Sequence, residues 1–306
     1  MKIRNFDLHI EFEQTVNFSL PPTFYFRSLL GKELKNLVCL YKGKRIPCDQ
    51  CTMKNICSYA QVFETPIDKD NPYLEGRTHA PHPFVLYTDA LAGKDYKSIN
   101  LNILLLGNAL AYMPVIILGI VQGGKNGIFR EKIKYNIKDI ISEDESIFIN
   151  EETIIPPEGI DFMEYPFNLT PGSCSIRIEF VTPFRFKKQG KYVSQGLTYE
   201  DVLLASKRRV ELMLGLYGNN GTYPALDLTK IPSKNTASHL VWENWDRYSR
   251  RQNTAMSLGG LIGVMDVTGE FTDTEVFYLK GASLLHIGKN AAFGLGKILI
   301  KTITEE

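Results

Sequence analysis

The chain has 306 residues, of which 44% are hydrophobic and 23% are charged, and its formal net charge is +1. A chain of this size can bury a full core, and its length suits two domains of ordinary size. The composition therefore excludes a disordered chain, and the near-zero net charge excludes a partner that is selected by overall charge alone.

The first half of the chain predicts the element order β-α-β-β-α-β, because apolar residues recur with period two in strands and with spacings of three and four in helices. The predicted elements are a strand within 1–20, a helix at 23–40, strands at 82–88 and 99–106, a helix at 109–121 and a strand at 128–137. Four glycines and Lys125 lie between residues 119 and 127. We expect them to form a glycine-rich turn between the second helix and the last strand.

Two features of this half bear on location. Residues 1–10 lack both a basic n-region and an apolar h-region, so we expect no signal peptide and a cytoplasmic protein. The stretch 101–121 has the length of a membrane span, but it contains Asn102, Gly107, Asn108 and Pro114. We interpret it as a strand followed by a buried helix, and we expect no membrane partner.

The second half repeats this order after an acidic, proline-rich segment at 141–172, which we interpret as a linker or a peripheral segment. The predicted elements are a strand at 174–182, a hairpin around Gln189-Gly190, a helix at 199–216, extended segments at 242–249 and 257–268, a helix at 274–287 and a strand at 297–304. A second glycine-rich loop, residues 288–296, precedes the last strand. The repeat is one of architecture and not of sequence.

The charges are segregated along the chain. Residues 143–164 contain eight acidic residues and no basic one, whereas residues 185–209 contain seven basic residues against Glu200 and Asp201. Further basic residues lie at Arg247, Arg250 and Arg251, around Tyr248, and at Lys289, Lys297 and Lys301. Segregated charge permits a face that binds a polyanion on a near-neutral protein. The alternative is several unrelated solvated surfaces.

The loop at 288–296 is a candidate phosphate site, because glycine allows positive φ and lets backbone N–H groups approach an anion closely. It lacks the Gly-Lys-Ser/Thr ending of a Walker loop, and it follows a helix instead of the strand that precedes a dinucleotide fingerprint. The alternative is a loop whose glycines only permit the reversal from helix to strand.

The motifs around this loop resemble a known family. They are Leu284-Leu285-His286-Ile287-Gly288-Lys289-x3-Phe293-Gly294-Leu295-Gly296-Lys297, Arg247-Tyr248-Ser249-x-Arg251-Gln252, Leu258-Gly259-Gly260-Leu261-Ile262-Gly263, Cys48-x2-Cys51-x5-Cys57-Ser58-Tyr59-Ala60-x2-Phe63-Glu64 and Pro81-His82-Pro83-Phe84-Val85-Leu86. In this order they resemble the CRISPR-associated precursor-crRNA processing endoribonucleases of the repeat-associated mysterious protein superfamily, in its cysteine-bearing branch. The similarity covers nearly the whole chain.

This resemblance implies an α+β protein of two tandem ferredoxin-like (RRM-like) domains with glycine-rich loops. The first would span 1–140 with a four-cysteine insertion at 39–57, and the second 173–306. The resemblance further implies a role in antiviral defence: sequence-specific, metal-independent cleavage of CRISPR repeat RNA by 2′-hydroxyl attack, with a 2′,3′-cyclic phosphate and a 5′-hydroxyl as products. One alternative is a non-catalytic RNA-binding subunit of a CRISPR effector complex. Another is a zinc-containing structural protein with no RNA role.

Four cysteines lie within nineteen residues, at Cys39, Cys48, Cys51 and Cys57. Thiolates at such spacings suit a tetrahedral structural Zn²⁺, and a cytoplasmic setting argues against disulfides. An iron–sulfur cluster or no metal at all are the alternatives. We expect a zinc that supports the fold and takes no part in catalysis, and no small-molecule cofactor. We interpret Cys174, at the start of a strand, as a buried apolar residue.

Metal-free RNA cleavage needs a group that moves protons and cations that hold the phosphate charge. Among His9, His79, His82, His239 and His286, the last is the candidate, since it ends a helix beside the glycine loop. A histidine packed beneath the loop is the alternative. Family members often carry a catalytic histidine in or after the first helix, but residues 23–57 contain none, so Tyr25, Tyr41, Lys42 and Lys44 are substitutes there.

The remaining candidates are Tyr248 and Arg251 as catalytic residues. The candidate RNA-binding residues are Gly288, Lys289, Gly294, Gly296, Lys297, Arg247, Arg250 and Lys125. Trp242, Trp245 and Tyr248 are either core residues or platforms on which an unpaired base stacks.

Overall fold

The computed structural model of the protein describes residues 1–42, 46–66, 71–74, 80–149, 153–218, 223–249 and 254–303. The chain divides into two compact units. The first comprises Met1–Glu164 and Gly215–Asn219, and the second comprises Tyr165–Leu214 and Asn220–Glu306. The predicted linker at 141–172 is therefore divided between the units, with Phe162 buried in the first and Leu169 in the core of the second.

The first unit is a six-stranded antiparallel sheet, of which four strands are the main ones, with two helices. Its main elements are β1 Lys2–Asn17, α1 Pro22–Val38, β2 Phe84–Tyr87, β3 Asp95–Leu106, α2 Met113–Asn126 and β4 Tyr135–Ser142. The strands lie in the order β2-β3-β1-β4. The short strands are Glu145–Ser146 on β4, Ile160–Asp161 on β1, and Phe148–Ile149 paired with Thr153–Ile154.

Short helical turns connect these elements. They are the 3-10 turns Cys48–Gln50, Pro72–Leu74 and Gly107–Tyr112 and the π-turn Ala60–Glu64. Strand β1 forms as its sequence predicts, because its alternate apolar residues, among them Phe6, Leu8 and Ile10, are buried. Helix α1 begins at Pro22, where a proline fits because the first N–H of a helix has no intrahelical partner.

The second unit repeats the same topology. Its main elements are β5 Gly172–Phe184, α3 Tyr199–Tyr217, β6 Asn235–Glu243, β7 Gly260–Phe271, α4 Asp273–Leu285 and β8 Ile298–Ile303. The strands lie in the order β6-β7-β5-β8, which corresponds strand for strand to the first sheet. The smaller elements are the paired strands Lys187–Lys188 with Lys191–Tyr192 and Asp246–Ser249 with Thr254–Ser257, and the 3-10 turns Leu228–Lys230 and Ala291–Phe293.

A buried polar cluster fixes the start of α4. The Glu275 carboxylate, fully buried, forms a capping box with Thr272 and accepts a hydrogen bond from the Tyr199 hydroxyl at 2.9 Å. The Lys234 ammonium, whose side chain is 1% exposed, lies 3.1 Å from the same carboxylate. Because a buried charge is tolerated when it is paired and hydrogen-bonded, this cluster joins the chain before β6, helix α3 and helix α4.

The structure corrects the predicted glycine-rich turn at 119–127, because α2 continues to Asn126 and only Gly127 lies beyond it. A Cβ on Gly123 would lie 2.2 Å from the Leu29 side chain of α1, and one on Gly124 would lie 2.3 Å from the Tyr135 carbonyl oxygen. These glycines therefore let α2 pack closely against α1 and β4. Lys125 is an exposed residue of the last helical turn and not part of a loop.

The stretch Gly107–Asn126 is apolar and long enough to cross a membrane. It contributes the buried residues Ile116, Ile117 and Ile120 to the core of the first unit. It comprises the 3-10 turn Gly107–Tyr112 and the core helix α2, and the predicted order of a strand followed by a buried helix is confirmed.

Candidate functional site

The glycine-rich loop, residues 288–296, connects α4 to β8 through a series of residues with positive φ. The φ angles are 83° at Gly288, 65° at Asn290, 83° at Gly294 and 71° at Gly296. Glycine adopts such angles without strain, and asparagine is among the residues that tolerate them best. The sequence thus specifies a compact reversal immediately after the helix.

Two glycines are also required by close contacts. A Cβ on Gly296 would lie 1.8 Å from the Ile287 carbonyl oxygen, and one on Gly288 would lie 2.6 Å from the Arg185 carbonyl oxygen. Neither backbone oxygen can move away without shifting its strand or loop. Side chains are therefore excluded from both positions.

The loop is fastened to the last residues of β5 and to the residue after it. The Lys289 N–H donates to the Arg185 carbonyl at 3.2 Å, and the Gly296 N–H donates to the Pro183 carbonyl at 3.2 Å. The Thr182 hydroxyl donates to the Gly294 carbonyl at 2.7 Å and accepts from the Lys297 N–H at 2.9 Å. The loop is thus held in one conformation, with the Lys289 side chain exposed.

The predicted RNA-binding residues of this loop differ in their surroundings. Gly294 and Gly296 are buried and serve the packing of the loop, whereas Gly288 is half-buried and Lys289 exposed. The Lys297 ammonium lies 3.1 Å from the Ser283 carbonyl oxygen at the end of α4. Lys289 is therefore the loop cation that is most accessible to a ligand.

His286, the predicted proton carrier, is buried beneath the loop with an exposed fraction of 2%. Its backbone has φ 55° at the end of α4, and its ring has backbone hydrogen bonds with Leu295 and Gly294. Burial, followed by the nearby Lys297 and Arg209 charges, holds the pKa of His286 well below its usual range. This environment keeps the imidazole neutral and favours the alternative interpretation, a side chain that supports the loop.

A basic and aromatic cluster lies directly beside the loop; the sequence predicted its charge and named Trp242 as a possible base-stacking residue, but it gave no sign of Tyr192. The Arg185 guanidinium lies 4.7 Å from the centroid of the Tyr192 ring, and the Lys187 ammonium lies 4.8 Å from the same centroid. The Trp242 ring lies 6.3 Å from that of Tyr192. The predicted hairpin around Gln189-Gly190 is confirmed, and its register is what places Tyr192 near these cations.

The arginine cluster that follows Trp245 is described only in part. Arg247 and Tyr248 lie in the strand Asp246–Ser249, but their side chains are outside the described part of the structure. Arg250 and Arg251 lie outside the described residues altogether. Their predicted roles in RNA binding and catalysis stay predictions.

In the first unit, Arg27 of α1 donates a hydrogen bond from Nη2 to Nε2 of His82. The His82 ring is stacked on Phe84 at a centroid distance of 5.3 Å, and the Arg27 guanidinium lies 5.6 Å from the Phe63 ring centroid. Sequence analysis missed this pair, because His82 is 55 residues from Arg27 along the chain. The spacing carried no signal of their contact.

The other candidates of the first unit are separate from this pair. Tyr41 is half-buried, its hydroxyl oxygen 3.5 Å from that of Thr52, and Lys42 is exposed. Lys44 and His79 lie outside the described residues. Tyr25 contacts Phe129 edge-on and Phe18 at a tilted angle, and it shares a hydrogen bond with Ser19, which is the environment of a packing residue.

Cys39, Cys48, Cys51 and Cys57 are all half-buried free thiols. Burial raises the pKa of the Cys48 thiol, while the nearby Lys35 lowers it. No group of three or more metal-binding side chains lies together among the residues that the structure describes. Zinc at this segment stays a prediction.

Comparison with protein families gives two matches. Residues 1–160 match the family model AF_1859_N, described as an N-terminal domain, and residues 178–298 match that of the CRISPR-associated endoribonuclease Cas6. The first match covers more than half of the chain, and the second contains the loop and most of β5. A comparison with curated proteins gave no match.

Solved structures share the fold over the full chain. A partial Cas6-RT-Cas1–Cas2 complex aligns with a TM-score of 0.59 at 12% identity, over 99% of this chain and 46% of that chain. A Cas6 product complex gives 0.55 at 13% identity over 99% of both chains, and Thermus thermophilus Cas6 gives 0.52 at 11% over 98% of both. The chain thus spans less than half of the first structure's chain, and the expected tandem ferredoxin-like fold is confirmed.

We expect His286→Ala to lower the thermal unfolding midpoint, because the variant loses the ring's hydrogen bonds to the loop.

The wild-type free energy of unfolding should also fall as the pH drops below about 6.5, the ordinary histidine pKa, since His286 then binds a proton in the unfolded chain but not in the folded protein. The variant should lack this part of the pH dependence in denaturant unfolding between about pH 8 and about pH 5. His9→Ala is the control, since His9 is exposed on β1. A His286→Ala variant with wild-type stability and pH dependence would contradict the supporting role.

Proposed function

We infer the function from family membership: this chain belongs to the AF_1859_N N-terminal domain family over residues 1–160 and carries a CRISPR-associated endoribonuclease Cas6 domain over residues 178–298. The chain is accordingly an RNA-cleaving enzyme. Its substrate is CRISPR repeat RNA within a precursor transcript, and its product is crRNA.

The glycine-rich loop carries this proposal. It lies inside the Cas6 match, it is held rigidly by Thr182, Pro183 and Arg185, and it presents Lys289 to solvent. A rigid loop with an exposed cation loses little conformational entropy when it binds a phosphate, which favours binding. Lys297, Arg247, Arg250 and Lys125 are further proposed cations for the RNA backbone.

The proposed reaction is attack by the ribose 2′-oxygen on the adjacent phosphorus. The 2′-hydroxyl loses a proton to a base, the new O2′–P bond forms, and the P–O5′ bond breaks as O5′ accepts a proton. The products are a 2′,3′-cyclic phosphate and a 5′-hydroxyl. Because nucleophile, leaving group and proton carriers come from the RNA and the side chains, the reaction needs no catalytic metal.

The proposed proton carrier is His82. Its Nε2 accepts from the Arg27 guanidinium, its Nδ1 is buried, and both residues are half-buried. Proton transfer by His82 therefore requires that an RNA phosphate takes over the Arg27 guanidinium, which frees Nε2 for a ribose or leaving-group oxygen. His286 is proposed as a positioning residue instead, on account of its burial. Tyr41, Lys42, Tyr248 and Arg251 are the remaining proposed participants.

A non-catalytic RNA-binding subunit of a CRISPR effector complex is the alternative. A rigid glycine loop and basic cluster would serve such a subunit equally well, and cleavage is what distinguishes the two. In either case we propose a cytoplasmic protein, in the compartment where the transcript is made.

We expect the purified protein to cleave the repeat RNA of its own locus in the presence of EDTA. A 2′-deoxy substitution at the nucleotide 5′ of the cut should abolish cleavage and leave binding nearly unchanged, because it removes only the nucleophile. Gel analysis of cleavage and anisotropy measurements of binding test both. A deoxy substitution elsewhere in the repeat is the control. Binding without any cleavage would support the non-catalytic subunit, and absolute dependence on Mg²⁺ would exclude the metal-free reaction.

His82→Ala should lower the single-turnover cleavage rate by about 10²–10⁴-fold with little change in RNA affinity, as expected for loss of a general acid or base. Rapid-quench measurements at saturating protein check this. The cleavage rate of wild type should depend on pH as expected for the titration of one group, and the rate of His82→Ala should lack this dependence. His239→Ala, on strand β6, is the matched control. Cleavage at the wild-type rate by His82→Ala would direct the search to Tyr41 and Lys42.

For the cysteine segment, Cys39 to Cys57, we propose a structural zinc, supported by the spacing of its four thiols. Elemental analysis of freshly prepared protein should find about one zinc per chain, and Cys51→Ser should lower the thermal midpoint more than the cleavage rate. Cys174→Ser is the control, since Cys174 is a half-buried thiol on β5 of the second unit and is not one of the four. Protein free of metal would reject the zinc, and visible absorption would indicate iron and sulfur.

A further inference from the structure

Arg185 is a buried cation for which the described residues provide no counter-ion. Its exposed fraction is 9%, and its Nε atom is buried with no hydrogen-bond partner in the part of the chain that the structure describes. By contrast, the buried Lys234 side chain of the same unit has the Glu275 carboxylate at 3.1 Å. Burial of a charge without a partner is unfavourable. An anion that pairs with the Arg185 guanidinium would remove this unfavourable free energy, and this favours binding at Arg185.

The position of Arg185 places that anion beside the glycine-rich loop. The Arg185 carbonyl oxygen accepts a hydrogen bond from the Lys289 N–H at 3.2 Å. The same oxygen excludes a side chain from Gly288. The Arg185 backbone is therefore fixed to the loop, and its guanidinium is fixed in direction by the Tyr192 ring at 4.7 Å. An anion on this guanidinium is therefore held by a residue whose backbone is hydrogen-bonded to the loop.

Tyr192 supplies an aromatic surface next to this cation. It is 37% exposed, and it lies on the hairpin whose turn, Gln189-Gly190, has two positive φ angles of 50° and 81°. The Trp242 ring is 6.3 Å away at an interplanar angle of 55°, and its Nε1 donates to Asn244 at 2.8 Å. Two aromatic rings beside a cation are typical of sites that stack an unpaired base and pair its phosphate.

We propose that Arg185, Tyr192 and Trp242 form a subsite for one unpaired nucleotide of RNA, with its phosphate on Arg185 and its base stacked on Tyr192. This inference rests on the proposed function and identifies where the RNA contacts the second unit. Lys187, whose ammonium lies 4.8 Å from the Tyr192 ring and which is exposed, supplies a second cation for the same phosphate or the next. A base within a duplex is not accessible to such a ring, so the nucleotide lies in a single-stranded part of the repeat.

The subsite predicts opposite effects on stability and on binding for one variant. Arg185→Met keeps an unbranched side chain in place of the arginine stem and removes the charge, so its thermal midpoint should equal or exceed that of wild type. Its affinity for the repeat RNA should fall, and the dependence of log affinity on log salt should flatten by about one unit. Tyr192→Ala should weaken binding about 5- to 100-fold, whereas Tyr192→Phe should bind like wild type.

The matched control is Arg177→Gln, because the Arg177 guanidinium is already paired with Asp266 at 2.7 and 2.8 Å. It should bind RNA like wild type. Anisotropy with the repeat RNA and with an oligouridine strand, at several salt concentrations, and thermal unfolding provide the measurements. If wild type binds and Arg185→Met binds equally well, or loses stability together with affinity, the subsite is wrong and the proposed function stands. If wild type binds neither RNA, both are wrong.

Discussion

The second unit depends on the hydrogen bonds between the end of β5 and the glycine-rich loop. Thr182, Pro183 and Arg185 hold the loop from one side, and the backbone of Gly296 closes it on Ile287 at 2.9 Å. A loop of nine residues would otherwise sample many conformations, because glycine has the largest backbone freedom of any residue. These contacts restrict the loop to one conformation, in which the exposed Lys289 and the neighbouring Arg185 have fixed backbone positions.

Two buried cations of this unit illustrate different uses of charge. Lys234 is satisfied within the protein by Glu275, and this pair joins elements that are distant in sequence. Within the described part of the chain, Arg185 is satisfied only in part, by the face of Tyr192, since a cation–π contact replaces less of the lost hydration than a carboxylate does. A folded chain keeps such an unpaired charge at a cost in stability, which is reasonable where a ligand supplies the missing anion.

The sequence predicts most of the fold because local signals and long-range packing agree there. The alternation in β1, the Thr198 start of α3 and the turn at Gln189-Gly190 each specify one local structure. The glycines at 119–127 were misinterpreted because the same residue serves loops and close helix packing, and only the position of Leu29 and Tyr135 distinguishes the two. Contacts such as Arg27 with His82, or Arg185 with Tyr192, depend on how elements pack and have no signature in sequence spacing.

The backbone of His286 has φ 55° and ψ 146°, a combination that is rarely adopted by any residue except glycine. Glycine would relieve this strain, yet the position holds a bulky ring that is hydrogen-bonded to the loop above it. The chain thus keeps locally unfavourable geometry in exchange for a particular side chain. Replacement of residue 286 by glycine would therefore relieve backbone strain and remove the ring's support of the loop, two contributions to stability of opposite sign at a single residue.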